Sequence, residues 1–212
     1  MTLSSLYKTN RSFFIGFIVF VLASDLILLI FSKADGFYML NPWHNRFLDY
    51  FFIYYTNLGD GFFCVAIALL LFLFKKKYLS LMVFSSYAIS GIIAQVLKYF
   101  ILEERPAVYL KDSAYRYFIE DVTLHNMHAF PSGHTASAFA MAGVLSFAAE
   151  NKKYSWLFFT LALSVGYSRM YLGQHFLDDV LAGAVLGFLT AIFCWLFFDK
   201  SFNRWVGYNK IN

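Results

Sequence analysis

"FFIGFIVFVLASDLILLIF" runs from Phe13 to Phe31 with a single ionisable side chain, Asp25. A helix needs about 20 mainly apolar residues to cross the hydrocarbon of a bilayer, so this stretch is long enough to span one. It follows Lys8 and Arg11, as the core of a secretory signal would. It is too long for such a core, however, and Ser32, Lys33, Ala34 and Asp35 beyond it hold no small-x-small cleavage pattern. It therefore reads as a membrane span.

The rest of the chain agrees. Its 212 residues are 60% hydrophobic, 22% aromatic and 14% charged, whereas an average soluble domain is about half apolar and a quarter charged. Further apolar runs fall at 56–74, 79–99, 134–149, 156–168 and 178–198, divided by charged stretches. The expectation is an all-α polytopic membrane protein with six transmembrane helices, residues 1–212 forming one domain. The runs at 134–149 and 156–168 are short, and the second reaches span length only by taking in Tyr154, Ser155, Arg169 and Tyr171.

Six crossings put both termini on one side, with the loops at Lys75-Lys76-Lys77 and Glu150 to Lys153. That side carries Lys8, Arg11, the three loop lysines, Lys152, Lys153, Lys200, Arg204 and Lys210 against Glu150 and Asp199. By the positive-inside rule it is the cytoplasmic side of a cytoplasmic (inner) membrane, and the other end of the bundle faces the exterior. The net charge of +4 thus records orientation. Outside the spans no basic cluster is interleaved with stacking aromatics, so nucleic acid is not an expected partner. Cys64 and Cys194 lie inside apolar runs and read as neither a disulfide nor a thiolate metal site. Residues 32–56 mix Trp43, His44 and many Phe and Tyr with Arg46 and Asp49, which suits an interfacial amphipathic stretch. Glu103 to Phe130 is too charged for lipid and is expected to cap the outward end.

Three polar clusters interrupt this apolar pattern. In "KYFILEERP", Lys98 and Arg105 are seven residues apart, nearly two turns, and would share a face on a continuing helix, although Pro106 disfavours helix at Arg105. A snorkelling lysine and a proline-stopped helix end would explain them equally well, but charges at membrane depth are costly and mark function. In "PSGH", Ser132 can cap a helix starting near Gly133. The free N–H groups and positive dipole end of that first turn attract an anion, and glycine admits it to the backbone. The alternative is an ordinary capped span; His134 at the mouth adds a group able to protonate a leaving oxygen. In "SRMYLGQHFLDD", His175 and Asp179 are four apart, so on a helix the carboxylate can hold one ring nitrogen while the other is aimed outward as a nucleophile. Arg169 supplies a forked donor for phosphate oxygens.

These three stretches, K-x6-RP at Lys98 to Pro106, PSGH at Pro131 to His134 and SR-x5-H-x3-D at Ser168 to Asp179, resemble the motifs of the type 2 phosphatidic acid phosphatase superfamily, matching eleven positions in order over a core of residues 98–179. The resemblance implies an enzyme that hydrolyses a lipid phosphate or diphosphate: phosphatidic acid, phosphatidylglycerol phosphate, undecaprenyl diphosphate or lipid A. It implies attack by His175 to give a phosphohistidine, orientation of that ring by Asp179, and proton donation by His134. Lys98, Arg105, Ser132, Gly133 and Arg169 would bind the phosphate oxygens. Three cations and a helix N-terminus supply the positive field, so no metal or other cofactor is expected, and there is no HExxH motif. A phosphotransferase with the same nucleophile and a non-catalytic lipid-phosphate binder are the alternatives. The superfamily's vanadate-dependent haloperoxidases are soluble, unlike this chain.

Other residues stay open. Asp25 is read as an interhelical hydrogen-bonding or protonated acid, and Asp60 in "NLGDG" as either a helix cap or a residue facing the site mouth. Glu103, Glu104 and Asp178 read as solvated or ion-paired. His125 and His128 could touch a headgroup or make the outer cap sensitive to pH but read first as loop bystanders, while Tyr109, Lys111, Tyr115 and Arg116 are candidates for headgroup selection. Gly183 and Gly187, four apart, permit close helix contact within the chain or between copies.

Overall fold

A computed structural model describes residues 2–113, 115, 117–120 and 122–205, with residues 199–205 described by their backbone alone. Arg116 and Lys210 lie outside the described residues, as do the side chains of Asp199, Lys200 and Arg204. The described residues are all-helical, with no strand. In chain order the helices are α1 (Leu3–Thr9), α2 (Arg11–Ile30), α3 (Lys33–Leu40), α4 (Arg46–Tyr55), α5 (Gly61–Leu73), α6 (Lys77–Phe100), α7 (Pro106–Tyr109), α8 (Gly133–Ala148), α9 (Lys153–Tyr171) and α10 (Leu177–Trp205), with a 3-10 turn at Thr56–Gly59.

Every apolar run is helical. Among the described residues, α2, α6 and Leu177–Phe198 of α10 are long and apolar enough to cross a membrane; α4 with its turn and α5, bent by 55°, make a fourth if taken as one span. The run expected at 56–74 is thus broken, because Asp60 turns extended and caps α5 by accepting from the Phe62 amide at 2.7 Å. α8 and α9 fall short of that description, and their setting explains why. α8 is the centre of the bundle, packed against α6, α9 and α10, and is buried along most of its length by Ala, Gly, Ser and Phe. A helix screened by its neighbours does not have to be lipid-compatible on every face.

The contact between α8 and α10 is a backbone contact. A Cβ added to Gly183 would lie 2.5 Å from the Ser132 carbonyl oxygen, and one on Gly187 would lie 2.2 Å from that of Ala136. The small-residue spacing is therefore spent inside the chain. Away from the polar clusters, Phe13 of α2 stacks on Phe188 of α10 at 4.9 Å and meets Phe139 of α8 and Phe159 of α9 edge-on, so four helices share one aromatic knot. Cys64 and Cys194 are buried in the same core.

Two expectations fail. Asp25 is exposed on α2 and makes no hydrogen bond or ion pair among the described residues, so the interhelical bond expected of it does not form. Lys98 and Arg105 do not ride one continuing helix. α6 ends at Phe100, Ile101 is extended, and Arg105 is extended (φ −83°, ψ 162°) because it precedes Pro106. The extended piece is fastened instead to residues 126–129, through Arg105 N–H to the Asn126 carbonyl at 2.9 Å and Ala129 N–H to that of Glu103 at 3.1 Å.

The expected cap lies over the end of the bundle where α9 runs into α10. Tyr117 and Tyr171 both donate to the Asp49 carboxylate, at 2.9 and 2.7 Å, tying α4, the long loop and the end of α9 together. Tyr115 joins the same cluster through Asn41 and His44.

Candidate active site

Three local decisions in the sequence bring the polar clusters together. At the start of α8, the buried Ser132 hydroxyl accepts from the Thr135 amide at 3.4 Å and from the Thr135 hydroxyl at 2.9 Å, so its first task is the cap. Gly133, next in line, leaves open space: a Cβ there would meet nothing within 4 Å. At the end of α9, Gly173 turns the chain at φ +64°, a left-handed conformation that favours glycine, and the Gln174 and His175 amides fold back onto the Arg169 carbonyl. At the start of α10, the Asp179 carbonyl accepts from the Ser132 amide at 2.9 Å, which locks the first turns of α8 and α10 side by side.

His175 and Asp179 meet at this junction. His175 Nδ1 is 3.3 Å from Asp179 Oδ2, and the same oxygen accepts from the Phe176 amide at 2.9 Å. Both side chains are buried, Asp179 completely. Burial, followed by the charges of Arg169, Arg105 and Lys98, holds His175 well below the usual imidazole pKa. The ring is therefore neutral at pH 7. With Nδ1 turned to the carboxylate, Nε2 carries the lone pair available to an electrophile.

The three cations converge on the two histidines, as both His134 and His175 lie in the fields of Lys98, Arg105 and Arg169. Each is held by neutral acceptors. Lys98 donates to the carbonyls of His128 and Ala129. Arg105 donates through Nε to the Met127 carbonyl at 3.1 Å and through Nη1 to the Gln174 side-chain oxygen at 2.9 Å. Arg169, 8% exposed, donates through Nη1 to the Thr56 hydroxyl at 2.8 Å, and its buried Nε has no partner. Among the described residues none of the three forms a salt bridge. Positive charge is concentrated here without a direct ion pair, with Asp179 and Asp60 as the nearby carboxylates, a setting that suits a multiply charged oxyanion.

Thus the structure gathers His134, His175, Asp179, Lys98, Arg105, Arg169, Ser132 and Gly133 at one end of the bundle. It also adds Gln174 and Thr56, which are not fixed positions of the motifs, and gives places to His128 and Asp60. Gln174 steers Arg105 and donates to the Thr123 carbonyl at 3.1 Å, holding the long loop down; its place beside His175 was the available signal. Thr56 steers Arg169. His128, expected to be a bystander, fixes the end of α6 through Nδ1 and the Lys98 carbonyl at 2.7 Å. Asp60 both caps α5 and faces the site, with Oδ2 3.8 Å from His134 Nε2.

Glu103 and Asp178 are ion-paired, one of the two settings expected of them. Glu103, Asp178 and Asp179 offer carboxylate oxygens within 4.8 Å of one another. The Lys33 ammonium lies among them, paired with Glu103 and with Asp178 at 2.9 Å and 4.9 Å over the Phe176 ring. Burial lowers the Lys33 pKa, but hydrogen bonds to Glu103 and Asp178 outweigh it and raise the net value, so the lysine stays charged.

A protein-family model described as the PAP2 superfamily matches residues 79–203. A lipid A 4'-phosphatase of Porphyromonas gingivalis is 30% identical over 187 residues, 82% of this chain and 76% of that protein. The crystal structure of Aquifex aeolicus LpxE superimposes with a TM-score of 0.61 at 30% identity, over 77% of this chain and 94% of that one. The crystal structure of a transmembrane PAP2-type phosphatidylglycerolphosphate phosphatase from Bacillus subtilis superimposes with a TM-score of 0.64 over 97% of this chain and all of that one. Its 22% identity speaks to the fold alone.

Proposed function

From the premise that this chain belongs to the PAP2 superfamily and is a phosphatase, we propose that it hydrolyses a lipid phosphate or diphosphate through a phosphohistidine on His175, at the outer face of a cytoplasmic membrane. In the first step Nε2 of His175 bonds to phosphorus as the bond to the leaving oxygen breaks, and His134 gives that oxygen a proton. In the second, water attacks phosphorus, its proton returns to His134, and the P–N bond breaks to release phosphate and neutral His175. Asp179 holds the Nδ1 proton throughout. Lys98, Arg105, Arg169 and the Gly133 amide stabilise the charge spread over the phosphoryl oxygens. All six apolar helices cross the bilayer in this reading, with both termini cytoplasmic, and residues 1–212 act as one domain.

The observation that carries the proposal is the triplet of cations without a direct ion pair around a neutral, carboxylate-held histidine. A pure binder of lipid phosphate has no use for that histidine and its acid partner together. The substrates in view are phosphatidic acid, phosphatidylglycerol phosphate, undecaprenyl diphosphate and lipid A. Phosphate release by the purified protein in detergent with chelator present, measured on these four lipids and on a soluble monoester, tests it. Release from a lipid well above the soluble ester is the expected result. Phosphate-analogue binding with no release from any of them overturns it in favour of a binder or a transferase.

A further inference from the structure

Asp60 lies outside the three motifs, where the 56–59 turn enters α5. One carboxylate oxygen is fixed as the α5 cap, and the other faces His134 Nε2 at 3.8 Å. The surrounding backbone leaves it little freedom. Gly59 presses on the first turn of α8, so that a Cβ on it would stand 2.6 Å from the His134 carbonyl oxygen, and Thr56 at the other end of the turn receives Arg169. The turn is fastened to α8 and α9 at once, and it delivers Asp60 to the imidazole.

We propose that Asp60 is the positioning residue of His134, orienting its ring and holding it protonated for transfer to the leaving oxygen. The inference rests on reading His134 as the proton donor. The need for such a group is visible in what surrounds the ring. The ring is partly buried, and Arg169 from α9, His175 from the turn after α9, Arg105 from the extended segment and Lys98 from α6 all face it; burial first, and then every positive charge among them, disfavours an imidazolium. The Asp179 carboxylate is engaged by His175 and the Phe176 amide. Cys64 and Tyr87 are the other titratable side chains beside Asp60. Among the described residues, Asp60 is the carboxylate paired with the ring. At 3.8 Å the contact is longer than a hydrogen bond, as catalytic contacts often are before substrate binds.

Asp60→Asn tests this, because asparagine keeps a cap acceptor for the Phe62 amide and the side-chain shape while removing the charge. Two phosphate monoesters with matched hydrocarbon tails are compared: an alkyl phosphate, whose alkoxide must be protonated as it leaves, and an alkyl-tailed 4-nitrophenyl phosphate, whose phenolate leaves unassisted. The expected result is a loss in kcat/KM of about ten- to a hundredfold on the alkyl ester and less than about threefold on the nitrophenyl ester, since general-acid catalysis contributes about 10²–10⁴-fold. The alkaline limb of the alkyl-ester pH profile also moves to lower pH, as the imidazolium loses its counter-charge. Asp60→Glu recovers part of both effects. Equal losses on the two esters, or none, overturn the proposal. His134→Ala separates the two levels of inference. If it fails to discriminate between the esters, the donor assignment falls with Asp60; if it discriminates and Asp60→Asn does not, Asp60 alone is wrong.

Discussion

Gly183→Ala adds one methyl group, and the structure gives its consequence. The new Cβ lies 2.5 Å from the Ser132 carbonyl oxygen, 3.1 Å from Thr135 Cβ and 3.3 Å from the Ala136 amide nitrogen. None of these is the tip of a flexible side chain, so the clash cannot be turned away by a rotamer. Reaching an ordinary contact of about 3.4 Å requires α10 to retreat from the first turn of α8 by roughly 0.9 Å. That retreat acts on the junction where Ser132 N–H meets the Asp179 carbonyl at 2.9 Å, so the oxyanion cradle and the His175–Asp179 pair move apart together. A misplacement of about 1 Å can cost on the order of 10²-fold in rate, and overpacking of this kind destabilises by about 1–3 kcal/mol. The assay is kcat/KM for phosphate release with a detergent-solubilised thermal melt on the same sample. Gly91→Ala is the control, since a Cβ there meets nothing within 4 Å and exchanging a helical glycine for alanine gains at most about 1 kcal/mol. Gly183→Ala with parental activity and melting temperature would refute the argument that this backbone contact sets the site geometry.

Arg169→Lys keeps the charge but loses the fork, strands the Thr56 hydroxyl and leaves a void at a buried position. A fall in kcat/KM of about 10²–10³-fold is expected, as for loss of one oxyanion donor, and a lysine variant within threefold of the parent would show that a point charge suffices. The lowered pKa of His175 also makes the fold acid-labile. Above about pH 6.5 the ring is neutral in both folded and unfolded chains; below it the unfolded chain takes a proton that the folded site refuses, so stability falls as pH drops toward the folded pKa. Melting temperatures from pH 7 to pH 5 should fall, and fall less steeply in His175→Gln; identical slopes would contradict the assignment.

Local spacing made much of this site readable in advance. His175 and Asp179 are close in sequence and do meet, although His175 lies just before α10 and not on one helix face with Asp179 as expected, and Ser132 caps the helix that follows it, so both could be placed from a few neighbouring residues. The apolar runs became helices for the same reason. What depended on distant parts of the chain was not readable. The route of Arg105 is set by Pro106 and by pairing with residues 126–129, and its partner Gln174 comes from a third segment. Asp60 reaches His134 only because Gly59 lets two backbones touch. Lys33, apparently a loop residue, turns out to neutralise acids brought together from Glu103 and Asp178. Asp25 shows the converse limit: its position inside an apolar run marks it as unusual, but only the packing of α2 decides which way it faces.

The central claim, a phosphoryl group carried by His175, is tested most directly by trapping it. The protein is mixed with a lipid phosphate labelled on its terminal phosphorus, quenched in alkali within the first turnover, digested, and searched for label. The account predicts alkali-stable, acid-labile label on the peptide containing His175, absent from His175→Ala, which also releases no phosphate. Parental release by His175→Ala, or release by the parent with no labelled histidine at any quench time, would contradict it.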